Sequence, residues 1–409
     1  MPLLTRTDLL SLIAEGENSA VEFKRDDIRP RDLAKELVAL TNFEGGRVLL
    51  GVEDDGTVSG ITRSPAEVEE WVMNACRDMV RPAIIPFFQI LRDVEPGRHV
   101  AVVQVERGSS VHTRWYSGRP FYHVRVGTAS RELDPTELER LFQQRGSLRA
   151  ELRPIPGSSL NDLDRHRLAD YFERVRQQSA PEHEDAAGWR TLLTSTEIMV
   201  GDGPTCSIAG LLLFGKTPNR FLPQAGITAA VYSGPEKDYT TPEVLRGPLV
   251  SLYRESAGTV EVVEPGVIDQ AMTFLERHAT DPVTLQDGTR RTRRWQYPQE
   301  ALREALVNAA AHRDYLLAAT DIELSVYSDR VEVISPGRLP NGVTPESMRV
   351  GIRASRNQLV KDTLQDYGYM EHLGLGVPRK IVRLMRDVNG TDPDLLVEGE
   401  RFMVKLWRA

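Results

Sequence analysis

Hydrophobic positions with helical spacing alternate with strand-like runs through the first 146 residues. The helical stretches are residues 6–17, 31–43 and 66–80, and the strand-like stretches are residues 19–25, 45–56, 99–108 and 119–133. Apolar residues three and four apart are typical of an amphipathic helix, whereas alternating or short continuous apolar runs are typical of strands. The order predicts a domain over residues 1–146 that contains both helices and sheet.

The pattern changes beyond residue 146. Residues 147–159 contain two prolines and no clear period, which predicts a linker. Residues 160–285 mix helical spacing with strongly apolar runs such as "IAGLLLFG" (208–215), which we interpret as strands of a connecting α/β region. Residues 286–409 predict a helix, two strands joined by a tight turn, a glycine- and proline-rich loop, two more helices and a final strand. We therefore expect an α+β protein with several domains.

Length and charge restrict the possible functions. A chain of 409 residues is longer than one hydrophobic core usually supports. The formal net charge is -8, so the whole molecule does not attract nucleic-acid phosphates, and any such contact must come from a local basic patch.

The sequence also gives an expectation about location. The first residues lack the apolar core of a signal peptide, and no run approaches the roughly 18 apolar residues that a membrane helix needs. Cys76 and Cys206 are the two cysteines, too few for a disulfide framework or a thiolate metal site. We expect a cytoplasmic protein without a membrane partner.

Polar residues stand four apart in the alanine- and leucine-rich stretch "EALREALVNAAAHRDY" (300–315). Glu304, Asn308 and His312 share one face of a helix, because four residues turn it by about 400°. A carboxylate and an amide oxygen at this spacing suit Mg²⁺, and the carboxylate alternatively suits the orientation of an attacking water. The other interpretation is a polar outer stripe of an amphipathic helix.

Two glycine-containing segments follow this stretch. "SPGRLPNG" (335–342) places Gly337 where a backbone can approach a nucleotide closely. "EHLGLGVPRKI" (371–381) places Gly374 and Gly376 before a helix, whose first N–H groups favour phosphate.

These motifs in this order resemble the GHKL ATPase fold of gyrase, histidine kinases and mismatch-repair ATPases. The stretches "VEVISPGRLPNGVT", "RNQLV" and "GLGVPRKI" are similar to a divergent bacterial branch of this fold, over residues 297–406. The resemblance implies an α/β sandwich that binds ATP, with Glu304 as the base of a weak ATPase, Asn308 as the Mg²⁺ ligand, and His312, Gly337, Gly374 and Gly376 around the nucleotide. Ser335 stands where the family has an adenine-binding aspartate, which favours nucleotide binding over efficient hydrolysis.

A second group of polar residues lies near the amino terminus. Glu17 and Glu22 flank the entry to one strand, and Asp54 follows another. If these strands are neighbours, the carboxylates converge on one Mg²⁺ or Mn²⁺ ion, which activates water in phosphodiester cleavage. The alternative is an ordinary acidic turn at residues 53–56 and a pairing of Glu22 with Lys24 or Arg25.

The stretches "ENSAVEFKR", "ALTNFEGGRVLLGVEDDGTVSGI" and "FYHVRVGTASREL" together resemble the Schlafen AlbA-type domain, over residues 9–142. In prokaryotes the family is read as nucleic-acid binding, whereas in animal Schlafens two glutamates and an aspartate cleave RNA with a metal. The resemblance maps those acids onto Glu17, Glu22 and Asp54. It offers four cations for DNA or RNA phosphates, and these are Lys24, Arg25, Arg125 and Arg131.

Two functions remain open from the sequence. One is a transcriptional regulator in which ATP binding by the C-terminal domain controls the nucleic-acid-binding N-terminal domain. The other is a metal-dependent nuclease that acts on RNA or DNA in defence or stress. Gyrase-like relatives suggest a homodimer, which nothing in the sequence requires.

Overall fold

The computed structural model describes residues 3–201, 205–256, 259–284, 291–340, 343–352, 354–370 and 375–409. Helices and strands are mixed throughout, as the sequence predicts. The chain divides into two compact units, residues 1–148 and residues 149–409. None of the described helices is both long and apolar enough to cross a bilayer.

A four-stranded sheet forms the centre of the first unit. Its strand order is β1-β2-β5-β4, in which β1 and β2 are parallel and the other pairs are antiparallel. The helices of this unit are α1 Arg6–Glu15, α2 Pro30–Asn42, α3 Pro65–Met79 and α4 Pro135–Gln144, and the strands are β1 Val21–Lys24, β2 Gly45–Leu50, β3 Val80–Arg81, β4 Phe87–Glu95, β5 Arg98–Glu106, β6 Thr113–Tyr116, β7 Arg119–Phe121, β8 His123–Val126 and β9 Ala129–Glu132.

Helix α2 is the crossover that makes β1 and β2 parallel. Its residues Leu33, Leu37 and Leu40 recur at helical spacing and are fully buried with Val48 and Val103 of the sheet. A parallel pair requires such a crossover, because its strands cannot be joined by a short turn. Both β1 and β2 therefore end at the same edge of the sheet, where residues 24–25 and 53–55 lie.

A six-stranded sheet organises the second unit, in the order β13-β12-β18-β19-β21-β20. The helices of this unit are α5 Arg165–Asp170, α6 Ala186–Ser195, α7 Ile208–Phe214, α8 Val267–His278, α9 Gln299–His312, α10 Pro345–Arg349 and α11 Gln358–Asp366, with π-helical segments at Tyr171–Val175, Gly376–Arg383 and Met385–Asn389. The strands are β10 Met199–Val200, β11 Thr205–Cys206, β12 Ile227–Val231, β13 Glu243–Leu245, β14 Leu252–Ser256, β15 Thr259–Glu264, β16 Thr280–Thr284, β17 Arg291–Trp295, β18 Ile322–Val326, β19 Arg330–Pro336, β20 Asp394–Glu398 and β21 Arg401–Trp407.

The expected linker and connecting region belong to this second unit. Strand β12, from the expected connecting region, pairs in parallel with β18 of the expected C-terminal domain. Within residues 147–159, Ala150 is buried and the N–H of Ile155 donates to the carbonyl of Cys206 at 2.9 Å. Residues 149–409 form one compact unit, and its described residues share the six-stranded sheet and one core. The run 208–214, expected as a strand, is the buried helix α7.

Candidate functional site

The polar column of α9 faces a cavity of about 250 Å³ in the second unit. Glu304, Asn308 and His312 all line it, and Glu304 is only 4% exposed. The opposite face of α9 is apolar and packs into the core through Leu302 and Leu306. A polar outer stripe does not describe this arrangement, because the column points into the protein.

Asn308 is held by the residue one turn before it. Its Nδ2 donates to the backbone carbonyl and to Oε1 of Glu304, at 2.8 Å in each case. These two bonds use the amide nitrogen, so the amide oxygen is the atom that Asn308 can offer a cation. Oxygen ligands of this type are those that Mg²⁺ takes, usually few from the protein and the rest from water and phosphate.

The backbone at Gly376 comes very close to the Glu304 carboxylate. A Cβ atom at Gly376 would lie 1.8 Å from Oε1 of Glu304, so only glycine fits without displacing the acid. Gly376 is buried and lines the same cavity. The structure thus brings Gly376 to the α9 column across 72 residues of sequence. Gly374 lies outside the described residues.

The imidazole of His312 is neutral at pH 7. Burial, and then the positive charges of Arg356 and Lys361, lower the pKa of His312 to about 4. Since a buried cation without an opposite charge is costly, the neutral form is the one that the fold accommodates. Any contact of His312 with a ligand is therefore a hydrogen bond or packing, without a formal charge.

The carboxyl end of α9 is closed by side chains from elsewhere in the chain. The last four carbonyls of a helix have no partner within the helix. In α9 each accepts a side-chain donor: Ala309 from Ser335 at 2.9 Å, Ala310 from Tyr315 at 2.9 Å, Ala311 from Asn357 at 3.0 Å and His312 from Arg356 at 2.9 Å. The motif "RNQLV" therefore contributes two caps, a role that the sequence pattern did not reveal.

Gly337 follows the capping Ser335 and also lines the cavity. Its φ is +108°, in a region that side chains rarely adopt, and a Cβ atom there would lie 2.4 Å from Nη1 of Arg356. The glycine thus allows the guanidinium to reach the end of α9. The Ser335 hydroxyl is used on the helix as well, so it does not replace the missing aspartate.

The walls of the cavity differ in polarity. Val333, Phe402 and Val404 from the central strands form an apolar wall, whereas Lys361 and Gln365 of α11 line it with polar groups. Small-molecule sites in proteins combine an apolar lining with a few placed polar groups in this way. An aromatic base suits the apolar wall, and an anionic group suits the lysine.

In the first unit, the three acids predicted as metal ligands converge on a lysine. Nζ of Lys24 lies 2.6 Å from Glu22, 3.8 Å from Glu17 and 3.9 Å from Asp54. Burial raises the pKa of Glu22, and Lys24 and Arg125 only partly offset this. Burial alone would lower the pKa of Lys24, but its hydrogen bond to Glu22 and the surrounding acids raise it.

The ammonium of Lys24 therefore occupies the centre that a divalent cation would need. Across the described ranges, no group of three or more histidine, cysteine, aspartate or glutamate side chains is placed to hold a metal. As they stand, Glu17, Glu22 and Asp54 fit an internal ammonium and not Mg²⁺ or Mn²⁺.

Family models match two segments of the chain. Residues 17–134 match the model "Schlafen, AlbA_2", and residues 319–406 match the model HATPase_c_4, described as "Putative ATP-dependent DNA helicase recG C-terminal". The chain carries these two domains. The AlbA_2 and HATPase_c_4 domains suggest nucleic-acid binding and ATP binding.

The cavity is built partly outside the HATPase_c_4 match. Helix α9 ends at His312, before the match begins at residue 319, whereas β19, α11 and Gly376 lie inside it. The polar column of α9 therefore lines the same cavity as the matched segment, although α9 precedes that segment in the sequence.

Other comparisons add little. No curated protein matches the chain. The crystal structure of the DIP2311 protein from Corynebacterium diphtheriae is similar over 98% of this chain and 69% of its own, with 18% identity and a TM-score of 0.43, which is too low for any inference.

One of the four cations expected to bind nucleic acid in the AlbA_2 domain is buried. The Arg125 side chain is fully enclosed, and its guanidinium contacts Glu22, Glu36 and the carbonyl of Asn18. It ties β8 to β1 and α2 as a buried ion-pair network. The expectation that Arg125 contacts phosphate is therefore wrong.

The other three cations have acidic partners. Arg25 is exposed but lies 3.4 Å from Asp27. Arg131 donates to Glu137 at 2.7 Å, and this bond lowers the pKa of Glu137 to about 2. Together with the three acids around Lys24, these pairs leave little net positive charge at the expected positions.

Proposed function

We propose that the protein binds ATP with Mg²⁺ in the cavity beside α9, and that it binds nucleic acid through the AlbA_2 domain as a nucleotide-responsive regulator. The observation that carries the nucleotide part is the convergence of Glu304, Asn308 and Gly376 on one cavity. The two domain types support the pairing of ATP with nucleic acid.

The residues of the cavity fit a magnesium nucleotide. Asn308 would hold the metal through its amide oxygen, and Glu304 would fix the orientation of that amide. The bound metal would neutralise phosphate charge. Gly376 and Gly337 would leave room for the Glu304 carboxylate and the Arg356 guanidinium beside the ligand, because a Cβ atom at either position would meet those groups.

We infer binding with weak hydrolysis at most. Glu304 is the one acid among the described residues that line the cavity, and its carboxylate already accepts from Asn308. Ser335, which stands at the position of the expected base-binding aspartate, donates to the carbonyl of Ala309. Discrimination of adenine from other bases would then depend on backbone groups and on the apolar wall.

Regulation requires that ATP bind two arrangements of the protein with different affinity. By linkage, nucleic acid would change the affinity for ATP by the same factor as ATP changes the affinity for nucleic acid. This reciprocity distinguishes a regulator from two independent binding modules on one chain.

Titration with ATP and Mg²⁺ tests the nucleotide site. We expect Asn308→Ala to weaken Mg²⁺-dependent ATP binding at least tenfold, about 1.4 kcal/mol, because it removes the metal ligand. Gln299→Ala is the matched control, since Gln299 is an exposed amide in the first turn of the same helix. Equal ATP affinity in wild type and Asn308→Ala would contradict the assignment.

The nuclease alternative rests on the acids around Lys24. Three carboxylates lie within 3.9 Å of Nζ of Lys24. Their charges favour a cation at this point, and in this structure the Lys24 ammonium is that cation. Incubating labelled RNA and DNA with the protein and Mn²⁺ separates the alternatives. Cleavage that Glu22→Gln abolishes would favour a nuclease, and equal cleavage by both proteins would end that hypothesis.

A further inference from the structure

Arg114 and Arg119 of the AlbA_2 domain lie on one hairpin. Strands β6 and β7 pair Arg114 with Phe121, Trp115 with Pro120 and Tyr116 with Arg119. In the described part of the chain, neither Arg114 nor Arg119 forms an ion pair. This contrasts with Lys24, Arg25 and Arg131, each of which has acids within 4 Å.

The hairpin has a defined shape because of its turn. Ser117 and Gly118 connect the strands, and their φ values are +51° and +75°. Two consecutive residues with positive φ are typical of the type I′ turn, which matches the twist of the strands it joins. The side chains on either side of the turn therefore have fixed positions relative to each other.

Arginine and aromatic side chains interleave on this hairpin and on the neighbouring end of α2. Arg31 donates to the hydroxyl of Tyr116 at 3.0 Å, and its guanidinium carbon lies 5.4 Å from the centre of that ring. The guanidinium carbon of Arg114 lies 4.9 Å from the Phe121 ring and 5.8 Å from the Tyr116 ring. Such distances are those of cation–π contacts, which hold each arginine over a ring face.

Two of the rings remain accessible. Trp115 is 43% exposed and Tyr116 is 38% exposed, and Arg119, which pairs with Tyr116 across the hairpin, is also exposed. Trp115 lies on the opposite face of the hairpin from Arg114 and Tyr116, since successive side chains of a strand alternate. Arg31 lies 3.6 Å from Asp32, which also pairs with Arg29 at 2.7 Å.

We propose that the hairpin of residues 113–121, together with Arg31, binds single-stranded nucleic acid. The proposal rests on the nucleic-acid binding proposed above and specifies its surface and the form of its ligand. Exposed aromatic rings stack on bases irrespective of sequence, and neighbouring arginines attract the phosphates. A duplex hides its base faces, so it would engage only the arginines of this surface.

Binding of fluorescent oligo(dT), oligo(rU) and a duplex of equal length to the full chain tests the proposal. We expect Trp115→Ala to raise the dissociation constant for both single strands about tenfold. Arg119→Gln should weaken binding and reduce the slope of log affinity against log salt by about 0.7, as expected for one lost phosphate contact. The salt slope separates a phosphate contact from a structural role.

Matched controls come from exposed residues away from the hairpin. Arg92→Gln removes an exposed arginine of β4 on the central sheet, and Tyr239→Ala removes an aromatic ring that is 96% exposed in the second unit. Both should bind like wild type. Thermal unfolding of every variant checks that the domain remains folded.

The outcomes separate this proposal from the function proposed above. If both hairpin variants bind the single strands as tightly as wild type does, the hairpin is not the binding surface. The proposed nucleic-acid binding would then still stand. Tighter binding of the duplex would overturn the choice of single strands. If wild type binds none of the three probes, the hairpin and the nucleic-acid part of the function both fail, whereas the ATP titration still judges the nucleotide site. A change in oligomeric state with Trp115→Ala, without a change in binding, would assign the ring to self-association and overturn the proposal.

Discussion

Gly376 shows how a single position joins two distant parts of the chain. Because a Cβ atom there would lie 1.8 Å from Oε1 of Glu304, Gly376→Ala must displace the carboxylate that orients Asn308. We expect this change to reduce Mg²⁺-dependent ATP binding by at least tenfold and to destabilise the second unit by about 1–3 kcal/mol. Isothermal titration and urea unfolding measure the two effects.

Gly234→Ala is the control for this substitution. A Cβ atom at Gly234 meets nothing within 4 Å, so the change should leave binding and stability as they are. Unaltered ATP binding in Gly376→Ala would show that the carboxylate adapts, and would count against its role in orienting Asn308.

The pKa of His312 predicts a pH dependence of stability. Its value of about 4 lies below the usual value of about 6.5 in an unfolded chain, so between these values the unfolded state binds a proton that the folded state does not. Stability is therefore full above about pH 6.5 and falls as the pH is lowered, by up to about 3 kcal/mol near pH 4.

Urea unfolding at pH 7 and pH 5 measures this contribution. In His312→Gln the loss of stability between the two values should be smaller than in wild type, because no imidazole titrates at this position. His183→Gln, which changes an exposed histidine, should leave the loss unaltered. An identical pH dependence in His312→Gln and wild type would rule out His312 as its source.

At single positions, sequence reasoning worked where the relevant partners were near in the chain. The four-residue spacing was enough to place Glu304, Asn308 and His312 on one face. It could not reveal that Asn357 caps the same helix, because that contact spans 46 residues and depends on tertiary packing. The expectation that Arg125 contacts phosphate failed for the same reason, because the acids that pair with its guanidinium come from β1 and α2.

Among the elements, α9 depends most on groups outside itself. Asn357 is fully buried and donates to the carbonyls of Ala311 and Arg313, at 3.0 and 2.8 Å. Asn357→Ala leaves both carbonyls without these donors, so we expect the free energy of unfolding of the second unit to fall by about 2–3 kcal/mol. Denaturant unfolding followed by circular dichroism measures it.

The adjacent amide provides the comparison. The side chain of Gln358 bonds to Asp362 in an exposed pair, so Gln358→Ala should cost much less, about 0.5 kcal/mol. Similar losses in the two variants would show that the caps do not stabilise α9 more than surface bonds do.

Helix α7 shows where element prediction from hydrophobic pattern fails. Its seven residues are all buried, so they have no polar face from which to read a period of 3.6 or of 2. The local signal for a helix is Ser207, the N-cap residue of α7. Its hydroxyl accepts from the N–H of Gly210 at 3.0 Å. By contrast, the two strands joined by a tight turn and the final strand expected within residues 286–409 correspond to β18, β19 and β21.

At the scale of the whole molecule, the two units have separate hydrophobic cores. The core of the second unit runs from Leu160 to Leu406, and the cores of the first unit lie within residues 9–105. We expect two unfolding transitions in the full chain. ATP with Mg²⁺ should stabilise residues 149–409, the unit that contains the cavity, by about 2.7 kcal/mol at one hundred times the dissociation constant.

Differential scanning calorimetry of the full chain, with residues 1–148 as a reference for assignment, measures these transitions. A single transition for the whole chain would contradict the expectation that the two hydrophobic cores unfold separately. The boundary itself was only partly visible in the sequence: a composition change marks residue 146, but β12 joins β18 by a parallel pairing that no local pattern reveals.

The closed end of α9 has an electrostatic consequence for its ligand. A helix terminus with bare carbonyls carries about half a negative elementary charge, which repels polyphosphates. Four donors, one of them the guanidinium of Arg356, cover this negative pole at the rim of the cavity. The protein thereby screens part of this repulsion at the end of α9 where His312 lies.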